Sequence, residues 1–249
     1  MDSRIIGVVS GKGGVGKTTT VINLSAALSQ MNKSVISIDA DVKMAGLGLQ
    51  LGMYYFPVTL NDVLKDMKNL YQAMYIHSSG LRIIPASISL RSCNISNLKK
   101  ILNNRLLENH MILVDGPPGL ERNALSVMKT CQKILIVTEP ELPAISDVMK
   151  IIKLSNEMKI KPIGIIVNKY RKDKDQISKE EIESACGLPI IGVVPHDNNV
   201  KKSVFRKEPI VFLKPYSPAS IAYKKIAGRL VGIEYQDKGN MFRRLFGRF

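Results

Sequence analysis

Short apolar runs separated by helical windows fill most of this chain and restrict it to one broad architecture. The β-rich runs fall at 5–10, 34–38, 81–85, 111–115, 134–138, 163–168 and 190–194. Several, such as IIGVV, ILIV and IGIIV, are apolar throughout rather than at alternate positions. A strand with no polar face is buried on both sides, as in a parallel sheet covered by helices above and below. Helical windows lie between the runs, near 17–31, 95–107, 121–131, 143–158, 178–186 and 218–231. In the first window Leu24, Ala27, Leu28 and Met31 recur at i, i+3, i+4 and i+7, one face of a helix. Strand–helix alternation of this kind implies right-handed crossovers. The expected fold is therefore α/β: a doubly wound, mostly parallel sheet with helices on both faces.

The first run leads into Gly11-Lys12-Gly13-Gly14-Val15-Gly16-Lys17-Thr18, and the octet opens the first helical window. G-x-x-x-x-G-K-[ST] between a strand and a helix is the pattern of a phosphate-binding loop. Glycines let backbone N–H groups converge on phosphate oxygens, and the helix adds the positive end of its dipole. Lys17 is expected to reach the β- and γ-phosphates, and the Thr18 hydroxyl to ligate Mg²⁺. Thr19 follows as a further candidate contact. Two other strand ends carry carboxylates. VISID runs into Asp39-Ala40-Asp41, and MILVD ends in Asp115, followed by Gly116-Pro117-Pro118-Gly119. Open α/β sheets bind ligands at this C-terminal edge. A metal–triphosphate needs oxygen ligands and a group to hold the attacking water. One such Asp would read as a turn or helix cap; three beside a phosphate loop point to chemistry. Gly116 and Gly119 are expected to take unusual φ values.

With its additional Lys12, GKGGVGKT resembles the deviant Walker A signature of the MinD/ParA/nitrogenase-iron-protein class of ATPases. The resemblance implies a homodimer in which Lys12 crosses to the partner's phosphates. Lys12 and Lys17 would neutralise the triphosphate, and Asp41 would orient the attacking water. Asp39 and Asp115 would support Mg²⁺, partly through water. Residues 41–49 and 115–119 would be the two switches. The resemblance also places adenine at the Asn168 side chain, with Pro195 and Asp197 lining its pocket. An Asn amide matches the N6 and N7 positions of adenine. Taken alone, Asn168-Lys169 reads equally as a turn. The guanine-specific N-K-x-D pattern is not completed, because Arg171 stands where Asp is required; ATP and ADP are the expected nucleotides. Family members often carry Asn five residues after the catalytic Asp, and this chain has Gly46 there.

Composition narrows the remaining classes. Lys+Arg number 36 and Asp+Glu 21, a net charge of +15, which suits a nucleotide, nucleic acid or acidic membrane surface. Cys93, Cys131 and Cys186 contain no C-x-x-C pair. A zinc site, a disulfide framework and an iron–sulfur scaffold are therefore unsupported. His77, His110 and His196 show no metal spacing and read as satisfied or exposed. No segment reads as a membrane span or secretory signal, so a cytoplasmic protein is expected. Tyr54-Tyr55-Phe56 with Met53 reads first as core packing or a lid, and second as a partner surface. The stretch 169–179 reads first as a solvated charged loop, and second as a contact for a dimer partner or DNA.

Residues 1–235 are assigned to the ATPase domain, and 236–249 to a linker and a C-terminal amphipathic helix. At 100° per residue, Met241, Phe242, Leu245, Phe246 and Phe249 share one arc, while Arg243, Arg244 and Arg248 lie elsewhere. Such a helix suits an anionic bilayer surface; docking on its own domain and binding nucleic acid are the alternatives. The tail resembles the membrane-targeting sequence of MinD proteins. Together these likenesses imply an ATP-dependent dimer, peripherally membrane-associated in the ATP state and aided by an unidentified protein partner or activator. The implied role is placement of the division site. A DNA-partition ATPase and a regulator of flagellar number share the same motifs.

Overall fold

The computed structural model describes residues 4–88, 95, 97–171 and 176–236. Cys93, residues 172–175 and the tail segment 237–249 lie outside the described residues. The strands are β1 (Ile5–Val9), β2 (Val35–Asp39), β3 (Tyr75–Ile76), β4 (Arg82–Ile84), β5 (Met111–Asp115), β6 (Lys133–Thr138), β7 (Lys161–Tyr170) and β8 (Ile190–Pro195). They form one sheet in the order β3-β4-β2-β5-β1-β6-β7-β8. Every pairing is parallel except β3 with β4. The expected doubly wound sheet is present, and each apolar run is a strand within a few residues of its expected bounds.

Successive strand residues point to opposite faces, and the two faces build two cores. Ile36, Ile38, Ile112, Val114, Ile134 and Ile136 enter one core, with the helices Arg122–Thr130, Leu142–Glu157 and Lys179–Cys186. Val8, Val35, Leu113, Leu135, Val137 and Ile166 enter the other. That second core is closed by helix α1 (Lys17–Gln30) and by the helix Pro218–Val231. Sandwiched between sheet and neighbouring helix, α1 buries almost its whole circumference rather than the single arc read from the sequence. Two of its buried polar side chains are paired: Ser25 Oγ lies 2.7 Å from Ser37 Oγ, and Asn23 Nδ2 donates to Thr19 O at 2.8 Å. Met31, expected on the apolar arc, is the C-cap and only half-buried.

The 95–107 window is not one helix. It divides into Leu98–Leu102 and a 3₁₀ turn, Arg105–Leu107. Asn104 makes the break, because its side chain accepts from Leu106 N–H at 3.0 Å and starts the second element. The helix Pro218–Val231 packs closely on β8. At Gly192 a Cβ would stand 2.1 Å from Ile226 Cγ1 of the helix Pro218–Val231. Gly192→Ala is therefore expected to cost about 1–3 kcal/mol by overpacking. The check is a lowered denaturant midpoint at unchanged slope.

The central β1 has β5 on one side and β6 on the other. The crossovers leave in opposite directions from this point, which opens a crevice at the C-terminal ends of the strands. The octet lies there.

Candidate nucleotide-binding site

The loop after β1 is shaped by its glycines and by contacts from distant strands. Gly14 and Gly16 hold φ values of +80° and +91°. At Gly16 a Cβ would meet Asn168 Nδ2 at 2.3 Å. Ser10 Oγ donates to Lys12 O at 2.8 Å, and Asn168 Nδ2 donates to Val15 O at 2.7 Å. Asn168 is buried. One of its two Nδ2 hydrogens thus fixes the loop from β7, which leaves the other hydrogen and Oδ1 for a further contact. Lys169 takes a left-handed φ of 53° and sends Nζ to Gly14 O at 2.7 Å and to Glu139 Oε1 at 2.9 Å. This corrects the reading of Lys169 as part of a solvated loop.

Lys17 begins α1 and is buried. Its neighbour Thr18 donates from Oγ1 to Asp115 Oδ2 at 2.6 Å. Asp39 and Asp115 are register partners in β2 and β5, and both are buried. Burial pushes the Asp115 carboxyl up to about 6, with Lys17 and the Thr18 hydroxyl pulling it back. Burial, then the charge of Asp115, also raises Asp39 well above the ordinary carboxylate range. Asp115 Oδ1 has no hydrogen-bond partner. A buried, unpartnered carboxylate oxygen beside the Thr18 hydroxyl fits a hard cation such as Mg²⁺. Among the described residues no three His, Cys, Asp or Glu side chains converge as a metal cage. Mg²⁺ in nucleotide sites takes most of its ligands from phosphate and water, so the sparse protein set matches.

Asp39 is occupied differently from the expectation. Its Oδ1 accepts from Asp41 N–H at 3.1 Å, and its Oδ2 accepts from Gly46 and Leu47 N–H at 3.0 Å each. Its carboxylate therefore anchors the start of the short helix Leu47–Gln50, and any support for a metal runs through the loop it holds. Asp41 Oδ1 accepts from Met44 N–H at 3.0 Å, and Asp41 is half-buried at the rim. Thr19 sends its hydroxyl to Gln50 Oε1 at 2.9 Å, so only its N–H is left to a phosphate. The loop expected to be the second switch follows β5: Gly116 N–H donates to Val8 O, and Gly119 N–H to Ser10 O. Gly119 has φ +82°, as expected. Gly116 does not take a positive φ; it is needed because a Cβ would lie 3.2 Å from Val8 O.

Lys12 stands at the loop's exposed rim with Nζ 2.8 Å from Glu141 Oε2. This contact raises the Lys12 pKa and lowers that of Glu141. Glu139 and Glu141 escaped the sequence reading, although Glu-Pro-Glu follows β6 as Asp-Ala-Asp follows β2. The same strand-end signal would have found them. At the far side of the crevice, Pro195 ends β8. Asp197 caps the helix Asn198–Phe205, accepting at Oδ1 from Asn199 N–H at 2.9 Å. Burial pushes its carboxyl up, but hydrogen bonds from Asn199, Ala219 and Ser217 bring it below the ordinary value. Asp197 is thus a structural cap beside the expected base pocket. The histidines stay apart: His77 contacts Ser79, His110 contacts Ser34, and His196 is exposed.

The sequence matches a family described as "ParA: NUBPL iron-transfer P-loop NTPase" over residues 2–231. An uncharacterized ATP-binding protein of Methanocaldococcus jannaschii is 36% identical over 236 residues, 93% of this chain and 89% of that protein. The septum site-determining protein MinD of Synechocystis is 35% identical over 239 residues, 92% of this chain and 90% of its own length. The fold superposes on the Pyrococcus horikoshii septum site-determining protein MinD, solved with Mg-ADP. Its TM-score is 0.85 at 32% identity, covering 91% of this chain and 95% of that one. Sequence, fold and motif order agree over nearly the whole length, and the chain is a MinD-like member of the MinD/ParA family of P-loop ATPases.

Proposed function

We propose that this protein is a Mg²⁺-dependent ATPase that pairs into a homodimer on binding ATP, joins an anionic membrane through its C-terminal segment and serves placement of the division site. The observation that carries this reading is the position of Lys12. Its side chain is partly exposed and its ammonium is held by a surface ion pair with Glu141. Such pairs contribute less than about 1 kcal/mol, so the ammonium can leave Glu141 for a partner's phosphates at little cost. A cation delivered in trans to a γ-phosphate stabilises charge that develops in the transition state. Relatives named for septum-site determination support the division role.

Within one subunit, the N–H groups of 13–18 cradle the phosphates, and Lys17 neutralises the β- and γ-oxygens. Thr18 Oγ1 and Asp115 would hold Mg²⁺, which would supply positive charge against the phosphates. Asp41 orients the water from the first switch. Asn168, Pro195 and Asp197 border adenine. Asp41→Ala is expected to keep ATP affinity and lower hydrolysis about 10²–10³-fold. Parallel titration of a fluorescent ATP analogue and phosphate-release assays check this; equal loss of both would remove Asp41 from the water-orienting role.

The +15 charge favours a second reading, a DNA-partition ATPase, since non-specific DNA affinity is mainly electrostatic. That reading requires steeply salt-dependent DNA binding that survives deletion of residues 240–249. Among the described residues, no helix is long and apolar enough to cross a membrane.

A further inference from the structure

The helix Asn198–Phe205 has an unusual outer face. Its exposed positions are Asn198, Lys201, Lys202 and Phe205, continuing to Arg206. That spacing is one stripe of a helix. The inner side carries buried Ser203 and half-buried Val200 and Val204. Phe205 is 84% exposed, so its ring contributes nothing to the core and stands in water between cations. Two further aromatic groups continue the face. Beyond the C-terminal end of the helix, Lys207 Nζ lies 5.8 Å from the ring of Tyr54, and Tyr54 and Tyr55 are 60% and 83% exposed. This overturns core packing for Tyr54 and Tyr55, while Met53 and Phe56 pack against the core, with Phe56 4.9 Å from Tyr75. At the N-terminal end, Asn199 borders the same hollow as Lys214 and Tyr216, and Tyr216 is 69% exposed. Among the described residues no ion pair engages Lys201, Lys202, Arg206, Lys207 or Lys214. Glu208, the acid next in sequence, lies towards His77.

The end of the described chain arrives at this face. After Gly232 the backbone doubles back, with Ile233 N–H donating to Gly228 O at 2.8 Å. Lys224 Nζ then lies 5.8 Å from both the Tyr235 and Tyr216 rings and donates to Pro215 O at 2.9 Å. The C-terminal segment therefore departs beside Tyr216, at the margin of the aromatic and basic face.

We propose that this face of the folded domain, centred on Phe205 and Tyr216 with Lys201, Lys202 and Arg206, docks on an anionic phospholipid surface as a second membrane contact beside the tail. The proposal rests on the reading of the tail as a membrane anchor. A nucleic-acid duplex would use the cations and leave the exposed rings in water. A bilayer interface satisfies both, because it is anionic at the headgroups and apolar just beneath them. One short amphipathic helix anchors marginally, and a second contact on the same subunit adds avidity and fixes the domain's orientation.

The chain has no tryptophan, so Phe205→Trp and, separately, Phe246→Trp each place a single reporter. With Mg-ATP and vesicles of phosphatidylcholine and brominated phosphatidylglycerol, both reporters should shift to the blue and be quenched. Quenching at 246 with none at 205 overturns this proposal and leaves the tail anchor standing. Silence at both removes the tail anchor and this contact together. A blue shift at 205 with ATP but no vesicles would show a second copy covering the face, and would also overturn it. Lys201→Gln with Lys202→Gln should weaken vesicle binding about thirtyfold at low salt, with solution ATP hydrolysis unchanged. Loss of duplex-DNA affinity with vesicle binding intact would assign the face to nucleic acid instead.

Discussion

Replacing Lys17 by alanine is expected to lower ATP hydrolysis by about 10³-fold or more, with weakened nucleotide binding. Two effects act together. The first is direct: Lys17 is the buried cation at the start of α1 where the phosphates would lie, and removing it leaves developing negative charge without its closest counter-charge. The second acts through the carboxylates. Burial raises Asp115, and Lys17 is the main influence holding it down. Without Lys17 the carboxyl protonates more readily, and a protonated carboxyl is a poor ligand for a hard cation. Phosphate release and equilibrium binding of a fluorescent ATP analogue separate the two effects. Raising the pH should restore part of the Mg²⁺ response but little of the turnover. Lys33→Ala, at an exposed lysine outside the crevice, should leave both assays unchanged.

The nucleotide-free protein should be less stable at neutral pH than in mild acid because of the pair Asp39 and Asp115. In the folded chain Asp115 holds its proton up to about 6, whereas its ordinary value is 3.8. The folded state therefore binds more protons than the unfolded state across this interval. The stabilising contribution is full below about pH 4 and is lost as pH rises through about 6, roughly 3 kcal/mol in all. Asp115→Asn, which stays neutral, should exceed the parent in stability by about that amount at pH 7.5 and match it near pH 4. Mg-ADP should reverse the ranking, because only the parent offers the ion a charged oxygen. Urea denaturation across pH, with and without Mg-ADP, reads this out. A parent that is as stable as Asp115→Asn at pH 7.5 without nucleotide would contradict it. Such a result would mean that the site stores destabilisation that its ligand relieves.

The parallel sheet could be read from the sequence because strands buried on both faces leave continuous apolar runs, and β5 and β6 are such runs. β3 left no signal, since Tyr75 and Ile76 make only a two-residue antiparallel edge. The short helices Leu47–Gln50, Leu60–Leu64 and Ile210–Leu213 span too few residues to establish a period. At the site, the octet and the strand-end carboxylates could be read because their spacing is local. Their actual partners could not. Lys12 meets Glu141 across 129 positions, and Asn168 meets Val15 across 153. Asp39 illustrates the difference: its place at a strand end follows from sequence, but its use as the anchor of three N–H groups depends on how the first switch folds back.

Pairing of two chains over ATP is the step on which the proposed membrane attachment depends. Light scattering on Asp41→Ala, which should retain ATP without consuming it, tests this most directly. With Mg-ATP a mass of twice 27.6 kDa is expected, and a single-chain mass with ADP or when Lys12→Ala is added. A single-chain mass at saturating Mg-ATP would contradict it.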